Sequence, residues 1–252
     1  MLASERFEKI VQMVNEKGIA NTKELAQILN VTETTIRRDT EFLEKQGKII
    51  RVHGGAKSIN QKTVMSNQDE KDMKDRTENY EKKDEVCKKV ASFIKNGDCI
   101  FLDGGTTVVP IVKYLKRKNV KIVTNSMLVV KAFNDSDSEL FVIGGKYIEE
   151  YDISVGSIAL NNLSNFNFDY AILGCAGLDI ERQVVYTTEM ETMLIKEKAM
   201  GLAVKKYLLL DDSKLSIRGF YTFVNTSDFN AIICNNSENV NEEELPNNFI
   251  IV

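Results

Sequence analysis

Residues 31–56, VTETTIRRDTEFLEKQGKIIRVHGGA, combine an amphipathic helical pattern with a glycine turn that carries basic residues. Thr32 is placed to cap the helix by accepting a hydrogen bond from a backbone N–H of its first turn. Gly47 follows the last apolar position and is expected to end the helix. A short predicted strand over 48–52 then leads into the turn His53-Gly54-Gly55. A helix followed by a basic hairpin is typical of the winged form of the helix-turn-helix.

The two sides of this helix differ in chemistry. Ile36, Phe42 and Leu43 recur at helical spacing, which predicts that they pack inward. The outward side presents adjacent arginines and threonines. Arginine forks onto guanine in the major groove, and hydroxyls contact base edges or phosphates. We therefore predict DNA contacts from the helix and the wing, at Thr34, Thr35, Arg37, Arg38, Arg51, His53 and Gly54.

The alternative for the arginine pair is a solvated helix face, bridged to Glu33, Asp39 or Glu41. That alternative is the more common fate of such a pair in isolation. The position of the pair on the second helix of a helix-turn-helix, just before a glycine turn, favours DNA.

Two shorter helical patterns precede this segment. The first is expected to be capped by Ser4 and closed by Gly18, with Phe7, Ile10, Val11 and Val14 on its apolar side. The second opens with Asn21 and Glu24 at the spacing of a capping box. Its predicted buried stripe consists of Leu25, Ile28 and Leu29. We therefore predict a small winged helix-turn-helix domain over residues 1–57.

Composition bounds the class of protein. The 252 residues carry a net charge of −4, but the first 57 hold ten Lys and Arg against eight Asp and Glu, which leaves −6 for the remainder.

Four scattered cysteines predict reduced thiols in a cytoplasmic protein. The sequence has no apolar run of membrane-spanning length and no signal peptide, so we expect no membrane association. His53 is the only histidine, which disfavours a serine–histidine triad and a histidine-rich metal site. We expect no metal and no cofactor.

A different pattern follows. Residues 58–80 are polar, show no apolar periodicity and are predicted to be a linker. Residues 81–252 are predicted to form an α/β sensor domain with a mostly parallel sheet, because short apolar runs without alternation are separated by segments of helix length. The predicted strands lie at 99–103, 120–124, 139–145, 169–175, 206–212, 231–234 and 249–252.

The loops after these runs share an anion-binding chemistry. Ligands bind at the carboxyl ends of parallel strands, where glycine permits close backbone approach and hydroxyls and lysine supply donors. Each loop by itself would also fit an ordinary turn or helix cap. Together they favour a phosphate-bearing small molecule, and the lack of a Walker A or G-x-G-x-x-G motif disfavours a nucleoside triphosphate or a dinucleotide. We predict ligand contacts at Asp103, Gly104, Gly105, Thr106, Thr107, Asn125, Ser126, Gly144 and Lys214.

The two groups of motifs resemble those of the DeoR-type family of bacterial regulators of sugar metabolism. The matching segments are TTIRRD (34–39), FLEKQG (42–47), RVHGGA (51–56), GDCIFLDGGTT (97–107), IVTNS (122–126), VIGGKY (142–147), DYAILGCAGLD (169–179) and LLDDSKL (209–215). The resemblance implies a sensor domain with the fold of ribose-phosphate isomerases and glucosamine-phosphate deaminases, used for binding rather than turnover. It also implies double-stranded operator DNA as partner, a phosphorylated sugar as effector that weakens operator binding, and a homo-oligomer.

The sequence departs from the family pattern in three places. Thr40 replaces a leucine, which we expect to affect helix packing more than DNA recognition. Ile148 falls in a segment where the family often has a basic or polar residue. The segment Glu181-Arg182-Gln183 lacks the glycine that the family usually has there, and both departures bear on the sugar end of the site.

We predict a transcriptional regulator without enzymatic activity, a repressor of an operon for sugar uptake or catabolism. One alternative is a sugar-phosphate isomerase or deaminase with a fused DNA-binding head, for which Asp103, Glu189, Asp211 or Asp212 would supply a base. No acid–base pair at a recognisable spacing supports it. Another alternative is a regulator that has lost small-molecule sensing and responds only to protein partners. The loops GGTT (104–107), TNS (124–126) and SK (213–214) are intact, which disfavours this alternative.

Overall fold

The computed structural model divides into a helical head and a larger α/β part. It contains eight α-helices in the described residues: α1 (Ala3–Lys17), α2 (Thr22–Leu29), α3 (Glu33–Lys45), α4 (Tyr80–Ala91), α5 (Val112–Leu115), α6 (Met127–Ala132), α7 (Gly156–Leu163) and α8 (Met190–Gly201). The structure describes residues 1–52, 54–59, 63–64, 77–134, 136–215, 217–236 and 245–252. His53 and most of the predicted linker lie outside these residues.

Seventeen strands occur in the same residues. They are β1 (Ile19–Asn21), β2 (Ile49–Val52), β3 (Gly55–Ser58), β4 (Thr63–Val64), β5 (Cys99–Leu102), β6 (Lys121–Thr124), β7 (Glu139–Val142), β8 (Lys146–Ile148), β9 (Ile153–Val155), β10 (Phe168–Leu173), β11 (Gly177–Asp179), β12 (Val184–Thr187), β13 (Ala203–Leu210), β14 (Arg218–Gly219), β15 (Tyr221–Asn225), β16 (Ala231–Cys234) and β17 (Phe249–Ile251).

The head is a winged helix-turn-helix, as predicted. Helices α1, α2 and α3 enclose a core that includes Ile10, Leu25, Ile36 and Leu43. A three-stranded antiparallel sheet of order β1-β3-β2 completes it. The hairpin β2–β3 is the wing.

The predicted helix ends are largely confirmed. The Thr32 hydroxyl accepts a hydrogen bond from the N–H of Thr35 at 3.2 Å and caps α3. Gly18 and Gly47 have φ of +77° and +65° where α1 and α3 end, a conformation that glycine adopts most readily. The predicted Ser4 cap is wrong. Leu2 is the N-cap, and its N–H donates to the Glu5 carboxylate at 3.1 Å, so α1 begins two residues earlier than predicted.

Two predicted core residues of the head are exposed instead. Ile28 is 57% exposed because α2 turns Leu25, Ala26 and Leu29 inward. Phe42 is 44% exposed and stacks on Phe7 at the rim of the core.

Thr40 is buried, as expected for a packing residue. Its hydroxyl donates to the Arg37 carbonyl at 3.1 Å.

Thr32→Ala is expected to lower the free energy of unfolding of the head by about 1 kcal/mol, the usual cost of removing a threonine cap. Thr32→Ser keeps the accepting oxygen and should retain most of the stability. Urea unfolding of both variants, followed by far-ultraviolet circular dichroism, measures the difference. Equal losses in the two variants would contradict the capping role.

All seven apolar runs predicted as strands form one parallel sheet of order β17-β16-β13-β10-β5-β6-β7. Helices cover both faces of it. Ile100 and Leu102 pack in one core with residues of α4, α5 and α6, and Phe101 packs in the other with residues of α7 and α8. This confirms the prediction of an α/β part with a parallel sheet behind a winged helix-turn-helix.

The strand order creates a crevice between β5 and β10. From β5 the sheet grows outward through β6 and β7, and from β10 it grows in the opposite direction through β13. The connections therefore diverge at the carboxyl ends of β5 and β10, where open α/β sheets bind ligands. The hairpin β8–β9 and the antiparallel sheet β11-β12-β15 add residues to this end.

No helix in the described residues is both long enough and apolar enough to cross a membrane.

Candidate functional site

A cavity of about 210 Å³ opens at the carboxyl ends of β5 and β10. Its wall combines a glycine loop, several threonines, two lysines and one carboxylate. The lining residues are Asp103, Gly104, Gly105, Thr106, Thr107, Tyr151, Ile153, Gly174, Cys175, Ala176, Thr187, Thr188, Thr192, Lys196, Lys214 and Ile217. Six of the nine residues predicted from the sequence to contact a ligand are among them.

The glycine loop after β5 brings the backbone close to its neighbours. A Cβ atom on Gly104 would lie 2.5 Å from Cγ2 of Ile153, so any larger residue would force Ile153 to shift. The N–H groups of residues 104–107 donate to no acceptor within the described part of the chain. Successive free backbone N–H groups can bind an anion where they converge.

Asp103 is engaged inside the protein. Its carboxylate is paired with the Lys196 ammonium and accepts the N–H of Gly174 at 2.9 Å, while Lys196 also donates to the Gly174 carbonyl at 3.0 Å. The side chains of Asp103 and Lys196 are 8% and 9% exposed. The pair therefore joins α8 to the ends of β5 and β10 and neutralises one of the two lysines.

Lys214 is the second lysine of the cavity and has no carboxylate partner among the described residues. It ends a 3-10 turn, Asp212–Lys214, which Asp211 holds by accepting the N–H of Ser213 at 3.1 Å. With Asp103 and Lys196 neutralising each other, Lys214 leaves the lining with a net charge of +1. An anionic ligand group suits this charge and the free N–H groups of the loop.

Cys175 lines the same cavity as a neutral thiol. Burial raises its pKa to about 12, against the opposing influence of the Lys214 and Lys196 charges. The thiolate is the nucleophilic form of cysteine, so this shift disfavours a nucleophilic role for Cys175.

Asn125, Ser126 and Gly144, which were predicted to contact the ligand, lie outside the lining. The Asn125 amide donates to the Ser154 carbonyl at 2.8 Å, and the Ser126 hydroxyl caps α6 by accepting from Val129 at 3.4 Å. Both side chains are buried, and the Asn125 amide together with a backbone bridge from Ser126 to Ile153 holds the hairpin that carries Ile153. Gly144 is exposed beyond the end of β7, the edge strand. Strands β6 and β7 lie next to β5 in the sheet, but the loops that follow them do not line the cavity.

Sequence reasoning missed Lys196 and three threonines of the wall. Thr187 ends an apolar run, VVYTT, and its strand-end position is a pattern that points to a site. Thr192 and Lys196 lie on α8, one turn apart, and reach the cavity because of the rotation of that helix. The periodicity of a sequence does not distinguish a lysine that becomes buried from one that stays on the surface.

The exposed side of α3 presents the residues predicted to contact DNA. Thr34, Arg37 and Arg38 are exposed, and Thr35 is half-buried. Arg37 lies 3.8 Å from Glu33, an exposed pair that is weak in water. Arg38 has no carboxylate partner in the part of the chain that the structure describes.

Two of the carboxylates that the sequence offered as partners for Arg37 and Arg38 pair with other residues. Asp39 accepts two hydrogen bonds from Arg6, at 2.5 and 3.1 Å, and so ties α3 to α1. Glu41 pairs with Lys45 at 2.7 Å. In the wing, the backbone N–H of Arg51 donates to Glu44 at 2.9 Å, and Gly54 has φ of +76° in the turn.

A winged helix-turn-helix joined to an α/β part with a parallel sheet is typical of a class of transcriptional regulators. The chain belongs to the DeoR family. Residues 78–236 match the model of the DeoR C-terminal sensor domain, and residues 6–62 match that of the DeoR-like helix-turn-helix domain. The predicted family membership is confirmed.

Several curated relatives are similar over most of their length. The HTH-type transcriptional regulator YulB of Bacillus subtilis is 32% identical over 234 residues, which cover 92% of this chain and 89% of the relative. The lactose phosphotransferase system repressor of Lactococcus lactis is 32% identical over 213 residues, with 83% and 82% covered. The repressor of the same name from Streptococcus mutans is 29% identical over 238 residues, with 92% of each covered.

Solved structures show weaker similarity. Ribose 5-phosphate isomerase A of Methanocaldococcus jannaschii matches with a TM-score of 0.40 and 18% identity, over 54% of this chain and 55% of that one. The sorbitol operon regulator SorC of Klebsiella pneumoniae matches with a TM-score of 0.36 and 14% identity, over 83% and 90%. Both TM-scores are below 0.5, so neither likeness supports a conclusion about this chain.

Proposed function

We propose that this protein represses an operon for sugar uptake or catabolism and that a phosphorylated sugar in the cavity controls its binding to operator DNA. The observation that carries the proposal is the combination of a lysine without a carboxylate partner, Lys214, with the free N–H groups of residues 104–107 in one cavity. The names of the relatives, lactose phosphotransferase system repressors, support a sugar operon as the target.

The wall of the cavity suits the two ends of a sugar phosphate. A phosphate accepts charge-assisted hydrogen bonds from lysine and from backbone N–H groups. The hydroxyls of Thr187, Thr188 and Thr192 can both donate to and accept from the hydroxyls of a sugar. A Lys83 ammonium donates to the Thr106 hydroxyl at 3.1 Å and holds that side chain in place. We propose Asp103, Gly104, Gly105, Thr106, Thr107 and Lys214 as the anion-binding part of the site.

The enzyme alternative requires a free base near the ligand. Asp103 is the one carboxylate among the described lining residues, and it is paired with Lys196. Asp212 pairs with Lys82 at 2.7 Å, and Asp211 holds the 3-10 turn. These pairings disfavour an isomerase or a deaminase. Proton exchange at the carbon beside the carbonyl, on incubation with sugar phosphates, would reveal such an activity.

Fluorescence anisotropy tests the proposed function directly. The DNA upstream of the gene for this protein and its neighbours is titrated with the protein, with and without a panel of sugar phosphates. We expect salt-sensitive binding, stronger than to random DNA, that one sugar phosphate weakens and the corresponding free sugar does not. Specific binding that responds to no compound in the panel would contradict the sugar-phosphate switch and leave the DNA-binding function standing.

Arg38→Ala is expected to weaken operator binding by about 1–3 kcal/mol and to relax the preference at one base pair, if this arginine forks onto guanine. The same measurement on Arg37→Ala separates the two arginines, which are about 100° apart around an ideal helix. Equal weakening on operator and random DNA would assign an arginine to phosphate contact instead. Lys45→Ala, at the far end of α3 and paired with Glu41, is the matched control and should have little effect.

A further inference from the structure

One short segment contacts both the cavity and the chain that leads to the head. We define it as the coupling segment, residues 211–215 and 217–219. Its residues Lys214 and Ile217 line the cavity. The connection between the head and the α/β part is residues 59–79, of which the structure describes 59, 63–64 and 77–79. The connection meets the coupling segment on both sides of Lys214, at Asn79 and at β4.

The first attachment consists of polar side chains at the start of α4. The Asn79 amide donates to Oδ1 of Asp211 at 3.0 Å and to Oγ of Ser213 at 3.3 Å. The Lys82 ammonium pairs with Asp212 at 2.7 Å. Both aspartates are buried, and hydrogen bonds to a charged group are stronger than those between neutral groups. These contacts therefore fix the first residues of the coupling segment on α4.

The second attachment is a short backbone ladder. Thr63–Val64 of β4 pair in parallel with Arg218–Gly219 of β14. A pair of strands is only marginally stable in water even when it is longer than this one. Strand β14 also packs closely on the cavity wall, because a Cβ atom on Gly219 would lie 2.7 Å from Cβ of Tyr186 and 2.8 Å from the carbonyl oxygen of Thr187. When β14 moves with the wall, β4 is therefore the element that separates most easily.

The position of β4 restrains the wing. Strand β3 ends at Ser58, and β4 begins five residues later at Thr63. Five residues extend at most about 17 Å, so the wing cannot lie far from β14 while β4 is paired. The wing also contacts the α/β part through Lys57, whose Nζ lies 3.9 Å from the exposed Glu181 carboxylate. An ion pair with an exposed partner contributes little in water.

We propose that an anion bound by Lys214 separates β4 from β14 and so releases the wing from the α/β part. This inference rests on the proposed function, because it requires an anion at Lys214. When the ammonium approaches the anion, residues 217–219 follow it, while the contacts of Asn79 and Lys82 hold residues 211–213 on α4. The displacement is therefore taken up by the β4–β14 ladder.

Release of the wing accounts for weaker operator binding. A head whose position is no longer restrained must be ordered again when it binds DNA, and this ordering costs affinity. The anion can shift the equilibrium only if it binds one arrangement better than the other. The contact with Lys214 supplies that difference, since its position depends on the coupling segment.

Hydrogen exchange measured by mass spectrometry tests the proposal on the full chain. The probe is inorganic phosphate, and sodium chloride of equal ionic strength is the reference. We expect phosphate to slow exchange in the glycine loop, residues 104–107, and to accelerate exchange at β4 by roughly 5-fold or more, the lower end of the usual coupling between two sites. Unchanged slow exchange in β5 and β10 shows that the sheet remains folded.

A reversible cross-link tests whether the separation is required. Thr63 and Arg218 are directly opposite each other in the ladder, at a spacing between neighbouring strands that a disulfide can bridge. In the oxidised Thr63→Cys, Arg218→Cys variant, we expect phosphate to slow exchange in the glycine loop as before but no longer to weaken operator binding. Dithiothreitol should restore the weakening, which we expect to be roughly 5-fold or more in the unaltered chain. Thr63→Cys alone, treated with the same oxidant, is the matched control.

The outcomes separate this proposal from the proposed function. Slower exchange in the glycine loop without faster exchange at β4 would overturn the coupling and leave the anion site standing. A cross-linked variant whose operator binding responds to phosphate as strongly as that of the unaltered chain would also overturn the coupling alone. No effect of phosphate on the glycine loop would overturn the anion site, and the coupling with it.

Discussion

Lys214→Ala is expected to remove most of the response to the effector while leaving operator affinity in its absence unchanged. Lys214 is the cavity lysine without a carboxylate partner among the described residues, so its charge is available to the ligand. A hydrogen bond to a charged group contributes about 1.5–3 kcal/mol. Its loss should therefore raise the effector concentration for half-maximal release of DNA by roughly 10- to 150-fold.

The measurement is an effector titration of a preformed operator complex, followed by fluorescence anisotropy. Lys88→Ala, an exposed lysine of α4 outside the cavity lining, is the control for a general effect of charge and should behave like the unaltered protein. Lys214→Arg keeps the charge with a different shape and is expected to retain part of the response. A Lys214→Ala variant that responds at the original effector concentration would show that the anion binds elsewhere.

Lys196→Met is expected to destabilise the α/β part by about 3–5 kcal/mol, the usual loss when one partner of a buried ion pair is removed. The methionine replaces the stem of the lysine but leaves the buried Asp103 carboxylate with the Gly174 N–H as its remaining donor among the described residues. An uncompensated charge in this position lacks the solvation that water would provide.

Tyrosine provides a selective probe for this change. All eight tyrosines lie between Tyr80 and Tyr221, so tyrosine fluorescence during urea unfolding follows the α/β part and not the head. Adding Asp103→Asn to Lys196→Met removes the unpaired charge and keeps an acceptor for Gly174. The double variant should therefore recover part of the lost stability, as a double-mutant cycle for interacting residues requires. A Lys196→Met variant as stable as the unaltered protein would contradict a stabilising role for the pair.

Local patterns predicted the elements of this fold well because they depend on neighbouring residues in the chain. The apolar runs at 99–103 and 169–175 indicated buried strands, and the structure places β5 and β10 there. Thr32 indicated a helix cap for the same reason, since its partner is only three residues away. The rule that ligands bind at strand ends predicted that the glycine loop and Lys214 lie at the same end of the sheet, and both line the cavity.

The rotation of each helix was predicted less well. Ile28 and Phe42 are apolar and occur near the expected spacing, yet both are exposed. Other residues of α2 and α3 fill the core of the head instead. Periodicity indicates that a helix has an inner side, whereas the packing of three helices and a sheet decides which residues fill it.

The sequence by itself determined the two parts of the protein, the strands, the recognition helix and the loop after β5, because these depend on short-range periodicity, capping and glycine. Only the tertiary structure decided which loops meet. The order of strands in the sheet brings Lys214 to the glycine loop, whereas Asn125 lies outside the cavity lining and donates to the Ser154 carbonyl. The rotation of α8 buries Lys196 against Asp103 from 93 residues away, and a contact of that range depends on how the helix packs on the sheet.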